Sequence, residues 1–204
     1  MSDRHPTLIS RLADATVVAF DCEMTGLDPK RDAICAIGAV RIRHGTLTDE
    51  TFDTLVDPGR PIGAAARAIH GISDDDVRGR PRLDAVLAPF RDFIGDHIPL
   101  AHVASLDLSF LAPALKRAGL PSLERVLDTA VLARTLMPAH HDVTLESLCA
   151  HFGIPLDGRH SALGDARLAA RLYLRLLPYL EHRGALTLER ALHWGDAHHA
   201  SALR

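Results

Sequence analysis

Asp21 and Glu23 stand two residues apart at the end of Thr16-Val17-Val18-Ala19-Phe20, an apolar and β-branched run that predicts a buried strand. Side chains two apart on a strand share a face, so both carboxylates project the same way. Such a pair at the end of a buried strand is costly unless positive charge meets it. A hard divalent cation would do so, and an all-oxygen ligand set favours Mg²⁺ or Mn²⁺ over zinc. Two further acids sit at predicted helix starts. Asp107 follows the short apolar segment His97–Val103, and Asp165 lies early in the helix containing Leu163, Leu168, Ala169 and Leu172. The helix dipole favours an acid at such positions, so neither marks a site by itself. His160 falls five residues before Asp165, which places it in the preceding loop, where an imidazole could serve as a general base.

These residues are positioned by a recognisable alternation of elements. The strand Thr16–Met24 is followed by breakers at Gly26 and Pro29, a second strand over Ala33–Arg43, a turn at His44-Gly45 and a third strand over Thr46–Val56. Short connections among the three predict an antiparallel meander. The period then becomes helical, with a short helix at Ala64–Ile69, a cap at Ser73 followed by Asp74-Asp75-Asp76, and Leu83, Val86, Leu87, Phe90 and Ile94 on one face. A strand over His97–Val103, a helix over Leu106–Leu120 and a strand at Val126–Asp128 come next. Helices near Thr129–Leu136, Thr144–Phe152 and Ser161–Leu180 complete the pattern. Strands first, then alternating strand and helix, predict an α/β fold with a mixed sheet flanked by helices.

The 204 residues carry 23 Lys+Arg against 26 Asp+Glu, a net charge of −3. This argues against a protein that holds nucleic acid through bulk positive charge. Only Lys30 and Lys116 are lysines, and the arginines are scattered rather than clustered. Cys22, Cys35 and Cys149 are far apart and odd in number, so they make neither a disulfide framework nor a zinc knuckle. No apolar run approaches the ~18 residues of a membrane span, and Met1–Ala15 lacks a signal-peptide core, so a cytoplasmic location is expected. The division expected is an N-terminal extension (1–15), one catalytic domain (16–180) and a helical tail (181–204) around Leu186, Leu188, Leu192 and Trp194.

Taken in order, the motifs resemble the histidine variant of the DEDD exonuclease superfamily, from about Thr16 to Leu177. The first is Phe20-Asp21-Cys22-Glu23-Met24-Thr25-Gly26-Leu27. The second is Ala101-His102-Val103-Ala104-Ser105-Leu106-Asp107 with Phe110-Leu111 behind it. The third is His160-Ser161-Ala162-Leu163-Gly164-Asp165-Ala166, whose histidine-to-aspartate spacing defines the variant. Ile69-His70-Gly71-Ile72 and Leu127-Asp128-Thr129 match accessory patterns of the proofreading branch, similar to the epsilon subunit of bacterial DNA polymerase III. The second motif departs from the common H-N-A-x-F-D, with Val103 for the asparagine and Leu106 for the aromatic. The stretch Glu23–Pro29 also looks like oligoribonuclease.

The resemblance implies a ribonuclease H-like five-stranded sheet and four carboxylates, Asp21, Glu23, Asp107 and Asp165, holding two Mg²⁺ or Mn²⁺ ions. Two such ions roughly 3.5–4 Å apart stabilise both the attacking and the leaving oxygen of a phosphoryl displacement. It implies His160 as the base, Thr25, Gly26 and Leu27 around the terminal nucleotide, and Phe110 as a further substrate contact. The implied activity is 3′→5′ release of nucleoside 5′-monophosphates from single-stranded DNA ends, with a polymerase as a possible partner. An exoribonuclease on the same fold and a non-catalytic binding subunit remain open at this level.

Overall fold

The computed structural model describes residues 11–185 and 187–192. Strands β1 (Thr16–Met24), β2 (Ile34–Arg43) and β3 (Thr46–Leu55) form an antiparallel meander. On the other side of β1 lies β4 (Ile98–Ala101), parallel to it, and then β5 (Leu127–Asp128), parallel to β4. The order β3-β2-β1-β4-β5 puts β1 at the centre of a mixed five-stranded sheet. Helices α1 (Ala64–His70), α2 (Asp74–Val77) and α3 (Leu83–Ile94) precede β4, and α4 (Ala104–Arg117) joins β4 to β5. Helices α5 (Thr129–Leu136), α6 (Leu145–His151) and α7 (Ala162–His182) follow. The expected α/β architecture is therefore the one observed.

Alternation along β1 assigns its two faces to two cores. Val17 and Ala19 pack with residues of α5, α6 and α7, whereas Val18, Phe20, Cys22 and Met24 pack with residues of α3 and α4. Burial on both faces explains why the strand is a nearly continuous apolar run rather than an alternating one. Asp21 and Glu23 continue the Val17–Ala19 face and so emerge beneath α7.

Close approach of α7 depends on a glycine in the neighbouring strand. Gly38 pairs with Asp21 in register, and a Cβ there would lie 2.1 Å from the Leu163 nitrogen and 2.3 Å from the Ala162 carbonyl carbon. The first turn of α7 thus rests directly on β2 backbone, one strand away from the carboxylate pair. The Ser161 hydroxyl caps this helix by accepting from the Gly164 amide at 3.2 Å. Gly164 in turn leaves room for the preceding loop, since its own Cβ would stand 1.8 Å from the Gly158 oxygen.

Two boundaries differ from the sequence expectation in a way that matters for the site. The fourth strand is shorter than His97–Val103, and the helix after it starts at Ala104 rather than Leu106. Val103 sits in the left-handed region (φ 58°, ψ 49°), which ends the strand abruptly. The Asp128 carboxylate accepts from the Val103 and Ala104 amides at 3.1 and 2.9 Å, and from the Ala130 amide at 2.9 Å. One side chain therefore caps α4 and α5 together. Beyond α7, Ala185, Leu188 and Ala191 are buried in the same core as Leu12 and Ala15, and Arg11 bridges Thr187. Leu192 is partly buried against that core, while Leu186, Trp194 and residues 1–10 lie outside the described residues.

Gly38→Ala is expected to push α7 off the sheet and cost about 1–3 kcal/mol, the usual range for overpacking. Thermal denaturation should show a loss of roughly 2–4 °C per kcal/mol for a chain of this size. Because α7 carries Asp165, the divalent-metal binding expected from the sequence should weaken in the folded variant as well.

Candidate active site

The site forms where β1 outruns its parallel neighbour. β4 pairs with β1 only through Val17, Val18 and Ala19 and then gives way to α4. The Cys22 amide, left without a ladder partner on that side, donates to Asp107 Oδ1 at 2.9 Å. Asp107 is only 4% exposed, in the first turn of α4. From the opposite face, the first turn of α7 brings in Asp165, also buried. Asp21, Glu23 and Asp165 offer carboxylate oxygens that lie within 4.8 Å of one another. No other such group of acids, histidines or cysteines occurs among the described residues.

Burial, followed by the charges of Asp107, Glu23 and Asp165, holds the Asp21 carboxyl well above the ordinary carboxylate range. Burial and then Asp165 push Glu23 up to about 7. Asp107 is also pushed up to about 7, chiefly by burial, against the opposing hydrogen bonds from Cys22 and its own backbone. Asp165 is raised by burial, with Arg159 working the other way. The donors are hard oxygens, crowded, and short of positive charge. That combination fits a divalent cation of the Mg²⁺ or Mn²⁺ kind.

His160 lies on the loop that leads into α7, exposed, with a left-handed backbone (φ 67°). Its amide donates to Asp165 Oδ1 at 3.3 Å, so the histidine and the aspartate are tied by backbone as well as by spacing. Beside it, Arg159 meets Asp165 Oδ2 through Nη1 and Glu146 Oε1 through Nε and Nη2. Neither Arg159 nor Glu146 carries a signal in the sequence, since the contact joins the start of α6 to the loop before α7.

The loop after β1 is built around Asp32, which sequence reasoning did not single out. Its Oδ1 accepts from the Thr25 hydroxyl at 3.2 Å and its Oδ2 from the Asp28 amide at 3.0 Å. Thr25 is 3% exposed, and its hydroxyl also accepts from the Ala33 amide. Gly26 presses against the Asp32 carboxylate, where a Cβ would lie 2.5 Å from an oxygen. Leu27 is left 76% exposed at the rim. His70 braces the same loop. The Ile72 amide donates to its Nδ1 at 3.0 Å, which leaves the proton on Nε2 for the Met24 carbonyl at 3.2 Å. Burial lowers its pKa, in keeping with a neutral strut. Thr129 and His102 brace the end of β4, their Oγ1 and Nδ1 being 2.8 Å apart. Phe110 is only 6% exposed and packs into the core shared by β1, α3 and α4.

Comparison with known proteins agrees with this fold. The profile of the exonuclease family RNase_T matches residues 18–173. A DNA polymerase III subunit epsilon-like protein of Rhodobacter capsulatus is 41% identical over 181 residues, which is 87% of this chain and 26% of that protein. The DNA polymerase III PolC-type of Listeria monocytogenes is 38% identical over 167 residues, 81% of this chain but 12% of its own length. The chain therefore spans only a minor part of these relatives. In three dimensions it is similar to exonuclease X in complex with 5′ overhanging duplex DNA, with a TM-score of 0.71 and 25% identity. That match covers 88% of this chain and 99% of the other. Fold and site define a nuclease domain of the hydrolase class. The chain belongs to the exonuclease family, whose profile spans most of its length.

A carboxyl group whose pKa is higher in the folded than in the unfolded chain stabilises the fold below its unfolded pKa. That contribution is lost as the pH rises through the folded value. With Asp21 raised and Glu23 and Asp107 near 7, the metal-free protein should melt at progressively lower temperature between about pH 5 and pH 8. Asp21→Asn removes one of the repelling charges and should flatten this slope and raise the melting temperature at pH 8 in chelator.

Proposed function

We propose that the chain is a 3′→5′ exonuclease that releases nucleoside 5′-monophosphates from single-stranded DNA ends, in proofreading or repair. The observation that carries this is the convergence of Asp21, Glu23 and Asp165 within 4.8 Å, with Asp107 fixed one residue away on the Cys22 amide. In this reading these four carboxylates hold two Mg²⁺ or Mn²⁺ ions. When bound, the ions would supply positive charge to the scissile phosphate and favour ionisation of the attacking water.

The chain's own groups account for the remaining work. His160, exposed at the mouth and tied through its amide to Asp165, is the general base that takes the proton of the attacking water on a ring nitrogen. The Thr25 side chain is committed to Asp32 and Ala33, so it shapes the loop and leaves backbone to face the terminal sugar. Leu27, large and exposed, is the apolar surface against which the last base can rest. Phe110, buried in the core beside β1, has little ring surface left to stack on a base. DNA is favoured over RNA, and a polymerase is proposed as partner, because the relatives at 38% and 41% identity are DNA polymerase III proteins of greater length. A cytoplasmic site of action goes with that partner. Among the described residues no helix is long and apolar enough to cross a membrane.

Product analysis on matched single-stranded DNA and RNA oligomers with Mg²⁺, Mn²⁺ or chelator tests the proposal. Mononucleotides should appear from DNA faster than from RNA, and chelator should stop the reaction. Faster release from RNA would overturn the substrate assignment, and no cleavage of either with any divalent metal would overturn the activity. His160→Ala is expected to lower turnover by about 10²–10⁴-fold without loss of fold, the range for a general base. Unchanged turnover would remove histidine from that role.

A further inference from the structure

Arg159 enters the carboxylate cluster from the loop before α7 and is held there from two sides. Its Nε and Nη2 donate to Glu146 Oε1 at 2.9 and 2.6 Å, and its Nη1 meets Asp165 Oδ2. The arginine side chain is 22% exposed and that of Asp165 only 6%, so the second contact is largely out of water. The other oxygen of Asp165 accepts from the His160 amide. Both carboxylate oxygens are thus engaged by the chain itself. The guanidinium charge also reaches Asp21 and Glu23, where it opposes the effect of burial and of the neighbouring acids.

A cation that approaches Asp165 meets two obstacles. The Oδ2 lone pairs are directed at a guanidinium, and that guanidinium repels it as a like charge. We infer that Arg159 is a built-in counter-cation that holds the acidic site together in the absence of metal and competes with the divalent ion for Asp165. Glu146 makes the exchange possible. Two of the three hydrogen bonds from Arg159 run to Glu146, so the arginine stays anchored when Nη1 is released. The arrangement raises the divalent-ion concentration at which the site fills. It rests on the metal-dependent reading of this site given above.

Binding of Mn²⁺ by titration calorimetry, together with melting temperatures in chelator and in saturating Mn²⁺, tests this on the full chain. Arg159→Gln should bind Mn²⁺ at least about fivefold more tightly, the low end of ordinary coupling between two occupants of one site. It should melt lower than wild type in chelator and show a larger rise on adding Mn²⁺. Arg159→Lys keeps a cation without the planar fork, and its Mn²⁺ affinity should fall between those of wild type and Arg159→Gln. Equal or weaker Mn²⁺ binding by Arg159→Gln would overturn the inference. So would an equal loss of melting temperature with and without Mn²⁺, which is what a purely structural ion pair would give. A lysine variant that behaves like the glutamine variant would also overturn it. If wild type binds Mn²⁺ and Arg159→Gln binds it equally, only this inference falls. If neither binds it, the metal-dependent reading falls too.

Discussion

Crowding of carboxylates at the end of β1 is the constraint around which this chain is built. At about 4 Å, two like charges near a protein surface repel by roughly 4 kcal/mol, and burial adds a desolvation cost. Asp21, Glu23 and Asp165 place their oxygens within 4.8 Å of one another, with Asp107 buried beside them. Arg159 and a few backbone amides offset only part of that cost locally. The cluster persists because the strand beneath it is fixed by fully buried Val17, Val18, Ala19 and Phe20, shared between two cores on opposite faces of the sheet. The apolar energy of the whole domain holds a polar cluster that would otherwise spread apart.

The sheet could not do this without the helices, whose N-terminal turns point at the cluster from both faces. Asp107 sits in the first turn of α4 and Asp165 in the first turn of α7, where free backbone amides favour negative charge. Each helix start is in turn fixed by something small and local. For α7 it is the absence of a side chain at Gly38, which lets the helix touch the sheet. For α4 it is Asp128, whose carboxylate gathers amides from two helices and so sets where Asp107 can reach. Accessory residues far from the chemistry thus act through backbone placement. His70, braced between Ile72 and Met24, does the same for the loop that ends in exposed Leu27.

What the sequence made legible follows from periodicity. Period two along Thr16–Met24 placed Asp21 and Glu23 on one face, and the structure puts Val17 and Ala19 on that same face under α7. Helical spacing located the start of α7 to within one residue. Less was legible where a residue's state is set by a partner distant in sequence. Val103 adopts a left-handed backbone that a β-branched residue disfavours, and it is held there by Asp128, 25 residues further on. Arg159 looks like any exposed loop arginine until α6 supplies Glu146. Asp32 shapes the Thr25–Leu27 loop through the Thr25 hydroxyl and the Asp28 amide, which no spacing rule connects.

The net charge of −3 takes on a narrower meaning once the acids are located. Taken over the whole chain, it disfavours a protein that clings to a duplex by its surface. Locally, in the proposed function, four of those acids face the place where a phosphate would sit, and a phosphate could not approach them unless cations had already reversed the sign of the field. Arg159 supplies one such charge, but two of its three hydrogen bonds run to Glu146, and it neutralises Asp165 rather than projecting beyond it. The remaining positive charge has to come from solution. In the proposed function, affinity for a strand end is therefore coupled to metal occupancy. On the proposed function, a chain whose net charge is −3 would gain from being carried to its substrate by a larger partner.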